Sequence, residues 1–225
     1  MKKTYYFFIL GFLLFQVSQS QIRNQRDTPE LLAQDIQNAK RDIKTQDTAA
    51  KSRISKFLDS MYVGHINQIK EFSKDNSCSR CYESLRLSWA FQGINYSSLK
   101  IDIESYSGLD EPSKLSEHAL FDLSTGREIL LYDLVAQDKK TLFLQRLNRK
   151  LEEARTKFKA CNPHQEDPFP ETILEEQLIQ LRVDANGVFI NDVLASNLDK
   201  NCESEIRLNF KEATPYFSKK LFILN

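Results

Sequence analysis

Glycine and proline each occur only six times in 225 residues, which leaves no long flexible linker and no low-complexity tract. No charge of one sign is in excess. The 31 basic residues face 31 acidic ones, and so balanced a surface exerts no long-range pull on nucleic acid or anionic lipid. Nor does any apolar run reach the ~20 residues that a bilayer-spanning helix needs. No self-similarity recurs at a solenoid or propeller period. G-x-S-x-G, H-E-x-x-H, a phosphate-cradling glycine loop and a calcium loop are all missing. The three histidines, His65, His118 and His164, stand in no recognisable nucleophile–base pattern. No catalytic residue, cofactor or metal site is expected on these grounds.

The first twenty residues are informative by contrast. Lys2 and Lys3 precede an eleven-residue apolar run from Tyr5 to Phe15, and small residues follow at Ser18 and Ser20. Positive head, short apolar run and small residues two apart make a secretory signal. Cleavage after Ser20 removes two lysines and leaves 29 basic against 31 acidic residues, a net charge of −2. A secreted or periplasmic chain without a transmembrane segment is expected. No Cys follows the run, which argues against a lipid-modified N-terminus. The remainder, 41% hydrophobic and 28% charged over the whole chain, is of ordinary globular composition.

Periodicity divides this remainder into a helical segment, 21–77, and an α+β domain, 78–225. Thr28-Pro29-Glu30 suits a helix start. Leu31, Leu32, Ile36, Ala39 and Ile43 make a narrow stripe that predicts loose packing or a position away from the core. The stripe resumes at Ile54, Phe57, Leu58, Met61, Tyr62, Ile66, Ile69 and Phe72, after a break near Thr45 to Thr48. His65 falls beside these apolar positions as a packed or half-exposed residue.

From Tyr82 the period changes to two. Leu85, Leu87 and Trp89 predict one strand; Leu99, Ile101 and Ile103, after a turn at 92–95, predict another. Residues 107–116 read as a loop. Ala119, Phe121 and Leu123 alternate, Ser124-Thr125-Gly126 turns, and 127–131 returns as a strand. Asp138 is the expected N-cap of a six-turn helix with Leu142, Phe143, Leu147, Leu151, Ala154 and Phe158 on one face. A polar loop from Cys161 to Pro170 follows. Ile179, Leu181 and Val183 alternate into Ala185-Asn186-Gly187 and Val188-Phe189-Ile190, the strongest short hairpin signal in the chain. Ile206, Leu208 and Phe210 read as a last strand, and the apolar stretches 215–217 and 221–223 as a docking tail. The order predicts an α+β fold: an antiparallel sheet of hairpins packed against a central helix, with an N-terminal helical segment.

Four cysteines, Cys78, Cys81, Cys161 and Cys202, are disulfide candidates in an oxidising compartment, with Cys78–Cys81 and Cys161–Cys202 the favoured pairing among three possible. A redox role for Cys78-Ser-Arg-Cys81 is disfavoured because the motif does not open a helix. A zinc set of Cys78, Cys81, Cys161 and His164 strands Cys202 and needs reduced thiols. Glu166, Asp167, Glu171, Glu175 and Glu176 form an acidic cluster best read as solvated surface. Ser97-Ser-Leu-Lys100 matches S-x-x-K by composition alone, and Asn95-Tyr-Ser97 is a glycosylation sequon.

The pattern F-D-L-x-T-G-x-E-x-x-L-x-D-L, carried by Phe121, Asp122, Leu123, Thr125, Gly126, Glu128, Leu131, Asp133 and Leu134, resembles the PdaC/RsiV-like extracellular domain. That domain accompanies peptidoglycan deacetylases and forms the lysozyme-sensing part of certain anti-sigma factors. The resemblance spans roughly 60–222 and implies an α+β fold outside the cytoplasm. Ser107 to Ser113 stand where the family often has G-G-A-H-P, so no ligand contact is carried over. A non-catalytic module binding cell-wall glycan or a wall-active protein is the expectation. An envelope hydrolase or deacetylase using His164, Glu166 or Asp167, and a structural partner of another envelope protein, are the alternatives.

Overall fold

The computed structural model describes residues 29–74, 82–106, 113–190 and 206–217. The signal segment, Thr28, Cys78, Cys81, Cys202 and the 221–223 stretch lie outside them. Two helices come first, α1 (Pro29–Arg41) and α2 (Thr48–Lys74). The break between them falls where expected, and Asp47 makes it: its Oδ1 accepts the Ala50 N–H at 2.7 Å, an N-cap for α2. A four-stranded sheet has the order β1 (Tyr82–Gln92), β2 (Tyr96–Tyr106), β3 (Ser113–Asp122), β4 (Glu128–Ile129). Central helix α3 (Lys140–Cys161) follows two 3₁₀ turns. A three-stranded sheet then has the order β5 (Leu181–Asp184), β6 (Gly187–Ile190), β7 (Arg207–Leu208), and a short α4 (Phe210–Ala213) closes the described chain. Helices and antiparallel sheets make this an α+β fold, with two sheets in place of the single one expected.

The chain divides into two compact units. The first comprises Met1–Asp42, Ser55–Leu87 and Asp102–Ser116. In it Leu32, Ile36 and Ala39 of α1 are all buried, contrary to the expected loose packing. Polar anchors explain how so narrow a stripe holds: Lys40 pairs with Asp59 of α2, and Arg86 of β1 with Asp35. His65 is buried on α2.

The second unit comprises Ile43–Ile54, Ser88–Ile101 and Glu117–Asn225. Its core is the α3 face of Phe143, Leu147, Leu151, Ala154 and Phe158, spaced at the helical period and buried among Leu181, Val183, Val188, Ile190, Ile206 and Leu208. Fully burying each such large side chain contributes ~1.5–3 kcal/mol. Leu142, expected in this stripe, is 50% exposed. Phe217 docks its ring 5.3 Å from Phe143, and its backbone bridges Val135.

Several boundaries depart from expectation. Ser113 to Ser116 belong to β3, not to a loop. The strand expected over 127–131 lasts two residues, because Leu131–Leu134 winds into a 3₁₀ turn. Asp138 does not cap α3. It lies in the 3₁₀ turn Gln137–Lys139, and α3 starts without a side-chain cap bond. Ile179 is exposed in a 3₁₀ turn, Glu175–Gln180, that precedes β5. Phe210 opens α4 instead of extending β7, because Asn209 and Glu212 form a reciprocal capping box. In the β5–β6 hairpin Asp184 pairs with Gly187, so the two-residue turn is Ala185-Asn186, one position earlier than the Asn-Gly signal suggested.

Candidate functional site

The strands of the second unit surround a pocket of about 60 Å³. Ser98 of β2, His118 and Leu120 of β3, Glu128 and Ile129 of β4, Leu130, Leu131, and Leu181, Arg182 and Val183 of β5 line it. Turn chemistry sets the β3–β4 wall. Asp122 Oδ1 accepts both the N–H and the hydroxyl of Ser124 at 2.7 Å, and Gly126 turns the chain at φ 68°. Burial pushes the Asp122 carboxyl up, but the bonds from Ser124 and Thr125 outweigh it and hold the carboxyl below its ordinary value. The turn is also gripped from outside. Thr45 donates to the Leu123 carbonyl at 2.7 Å, and Arg53 to that of Thr125.

On the opposite wall Arg182 carries the polar character, and it belongs to a cross-strand row. Arg182 faces Phe189, and Phe189 faces Arg207, so all three lie on one face of the three-stranded sheet. The Arg207 guanidinium stands 4.5 Å over the Phe189 ring and donates to Asp184 Oδ1 at 2.6 Å. Arg182 donates to the carbonyls of Ile179 and Leu181 at 2.6 and 3.0 Å, which fixes its guanidinium along its own segment. His118 meets the Phe189 ring edge-on at 5.3 Å, with Nδ1 3.3 Å from the Ser98 hydroxyl.

Ser98 and His118 together suggest nucleophile and base, but the geometry disfavours that chemistry. Ser98 is 1% exposed, so no substrate carbonyl reaches its oxygen. The volume is below half the ~150 Å³ that admits benzene, so the pocket takes a small side group and not a ring. A carboxylate, a guanidinium and an imidazole stand over an apolar floor. Both signs of charge are represented, which suits a neutral polar group.

The residues singled out from sequence are scattered. Cys161 ends α3 and is exposed; Cys78, Cys81 and Cys202 lie outside the described residues, and with them the rest of the zinc set and the partners needed for both pairings. His164 and Glu166 are exposed in the loop after α3. Asp167 is committed to that loop's anchorage: it pairs with Arg155 Nε at 2.7 Å and accepts the Phe169 N–H at 3.0 Å. Glu171 and Glu176 are exposed, whereas Glu175 accepts the Tyr132 hydroxyl at 2.7 Å. Ser97 and Lys100, three apart on β2, project to opposite faces and make no S-x-x-K site.

The pocket residues were missed because they come from four separate stretches. The stretch 128–131 lay within the F-D-L…D-L pattern and Ser98 within the S-x-x-K match, but neither motif pointed to a pocket. Among the described residues, no group of three or more His, Cys, Asp or Glu is placed to hold a metal, and no helix is long and apolar enough to cross a membrane.

Neither the family models nor the curated proteins compared with this chain give a match. Solved structures do. A DUF3298 family protein from Pseudomonas aeruginosa PAO1 is similar at 10% identity with a TM-score of 0.49, covering 69% of this chain and 71% of its own. A DUF3298 family member from Bacteroides fragilis NCTC 9343 is similar at 13% identity with a TM-score of 0.40, covering 72% and 69%. The structural neighbours of this chain are thus DUF3298 family proteins at low sequence identity.

Proposed function

We propose that this chain is a secreted or periplasmic, non-catalytic binding module that takes a small polar side group of a cell-wall glycan into the pocket between β4 and β5. The observation that carries this reading is the pocket itself: too small for a sugar ring, lined by charges of both signs, and offering no reachable nucleophile. The signal-like first twenty residues and the PdaC/RsiV-like pattern from Phe121 to Leu134 support the compartment and the ligand class. The commitment of Asp167 to Arg155 counts against a hydrolase built on the loop after α3. Disulfides Cys78–Cys81 and Cys161–Cys202 belong to the same reading, and peptide mapping without reduction should find both.

The test is binding of the purified chain to soluble wall-glycan fragments and, separately, to lysozyme. Leu130 is 47% exposed at the pocket rim, so Leu130→Arg should obstruct the mouth without disturbing the core. The expected result is glycan binding that falls at least tenfold in this variant. Lysozyme binding alone would transfer the reading to a wall-active protein. Retention of neither, or glycan binding indifferent to Leu130→Arg, would overturn it.

A further inference from the structure

Asn186-Gly187 is the single Asn-Gly dipeptide in the sequence, and the fold dictates its second member. Gly187 has φ 139°, and a Cβ there would overlap the Leu208 carbonyl oxygen and stand 2.9 Å from Asn209 Cα. No bulkier residue can follow Asn186 to shield the amide nitrogen between them. Asn186 itself is exposed in the two-residue turn. The Gly187 nitrogen is therefore one five-membered ring closure away from the Asn186 side-chain carbonyl carbon.

One contact opposes that closure. Gly187 N–H donates to Asp184 Oδ1 at 3.2 Å, and the same oxygen accepts the Asn186 N–H at 2.7 Å and Arg207 at 2.6 Å. We propose that Asn186 is a self-modification site, converted through a cyclic imide to aspartate or isoaspartate, and that the Asp184–Arg207 pair sets its rate. In the first step the Gly187 nitrogen gives its proton to hydroxide and bonds to Asn186 Cγ. The Cγ–Nδ2 bond then breaks, and the side-chain nitrogen leaves as ammonia with a proton from water. Water opens the imide at either carbonyl. Asp184 slows the sequence because a carboxylate accepting the Gly187 N–H favours the protonated nitrogen over its anion.

The isoaspartyl product carries one more main-chain carbon between residues 186 and 187. The lengthened turn no longer has the two-residue geometry that sets Asp184 opposite Gly187, so the bonds from the residue 186 and Gly187 N–H groups to Asp184 must rearrange.

The experiment is peptide mapping by mass after incubation of the full chain at mildly alkaline pH. Native protein, urea-unfolded protein and Asp184→Ala are compared, with circular dichroism to confirm that the variant is folded. Conversion at Asn186 should be slowest in the native protein and about tenfold faster in Asp184→Ala, the scale of one charge-assisted hydrogen bond. If Asp184→Ala does not fold, Asp184→Asn, which keeps the side chain's shape and removes its charge, should also accelerate conversion. Equal rates in native and unfolded protein would overturn the proposal, as would a folded variant no faster than the native chain.

Discussion

A hydroxyl with nowhere to bond is the clearest single-residue defect in the described structure. Ser97 is 1% exposed, and its Oγ has no hydrogen-bond partner. Burying such a group costs ~1–3 kcal/mol, so Ser97→Ala should raise the midpoint of denaturant unfolding. A lowered midpoint would show that the hydroxyl is satisfied. Tyr132 presents the opposite case. Burial first, then its bond to Glu175 and that carboxylate's charge, push its hydroxyl up to about 12. A folded-state value above the unfolded one stabilises below the unfolded pKa of 10.0, and that contribution disappears as pH rises through about 12. Glu175→Gln should move the tyrosinate titration downward, followed by ultraviolet absorbance. Neither residue was legible beforehand. Ser97 was noticed only within S-x-x-K and a sequon, and Glu175 only as one member of an acidic run. A sequence names charges but not which of them acquires a partner 43 positions away.

Among the elements, α3 was the most legible, because five buried side chains at one period leave little ambiguity. Its Leu147→Ala variant should lose ~2–5 kcal/mol of unfolding free energy, whereas Leu142→Ala should stay within ~0.5 kcal/mol. The sequence grouped these two leucines together, and only the helix's rotation against its neighbours separates them. The junction of α3 with α4 was not foreseen at all. Arg146 and Lys150, one turn apart, both reach Glu212, which also closes the capping box with Asn209. Burial pushes the Glu212 carboxyl up, but bonds from Lys150, the Asn209 N–H and Arg146 outweigh it and hold the group below its ordinary 4.5. A depressed folded-state value stabilises above the unfolded pKa, so this contribution should fade as pH falls below about 4.5. Glu212→Gln should therefore cost ~1–2 kcal/mol near neutrality and flatten the acid limb of the stability profile. An unchanged limb would mean that the cluster does not tie α4 down. Short elements of this kind escape periodicity, because β7 and α4, two and four residues long, hold only about one repeat of their own pattern, and a period shows only when it recurs.

For the whole molecule, fold class was readable from the order of helical and alternating stretches, whereas the number of sheets was not. Hairpin signals name neighbours in sequence but do not say where one sheet ends and the next begins. Bulk charge is equally readable. The full sequence has a pI of about 6.8, and loss of residues 1–20 removes two lysines without an acid. Light scattering should therefore place the solubility minimum of the processed chain below pH 6.8. A minimum at or above that value would count against the proposed cleavage after Ser20. The pocket was illegible because its lining is assembled by strand pairing across 85 positions, from Ser98 to Val183. One feature of that assembly has a practical use. All four residues of β6 are hidden from solvent, and Gly187 tolerates no added carbon. A fluorophore or epitope placed anywhere along that strand should prevent folding, whereas Ala185, exposed in the preceding turn, is where a label can be attached and the hairpin still close.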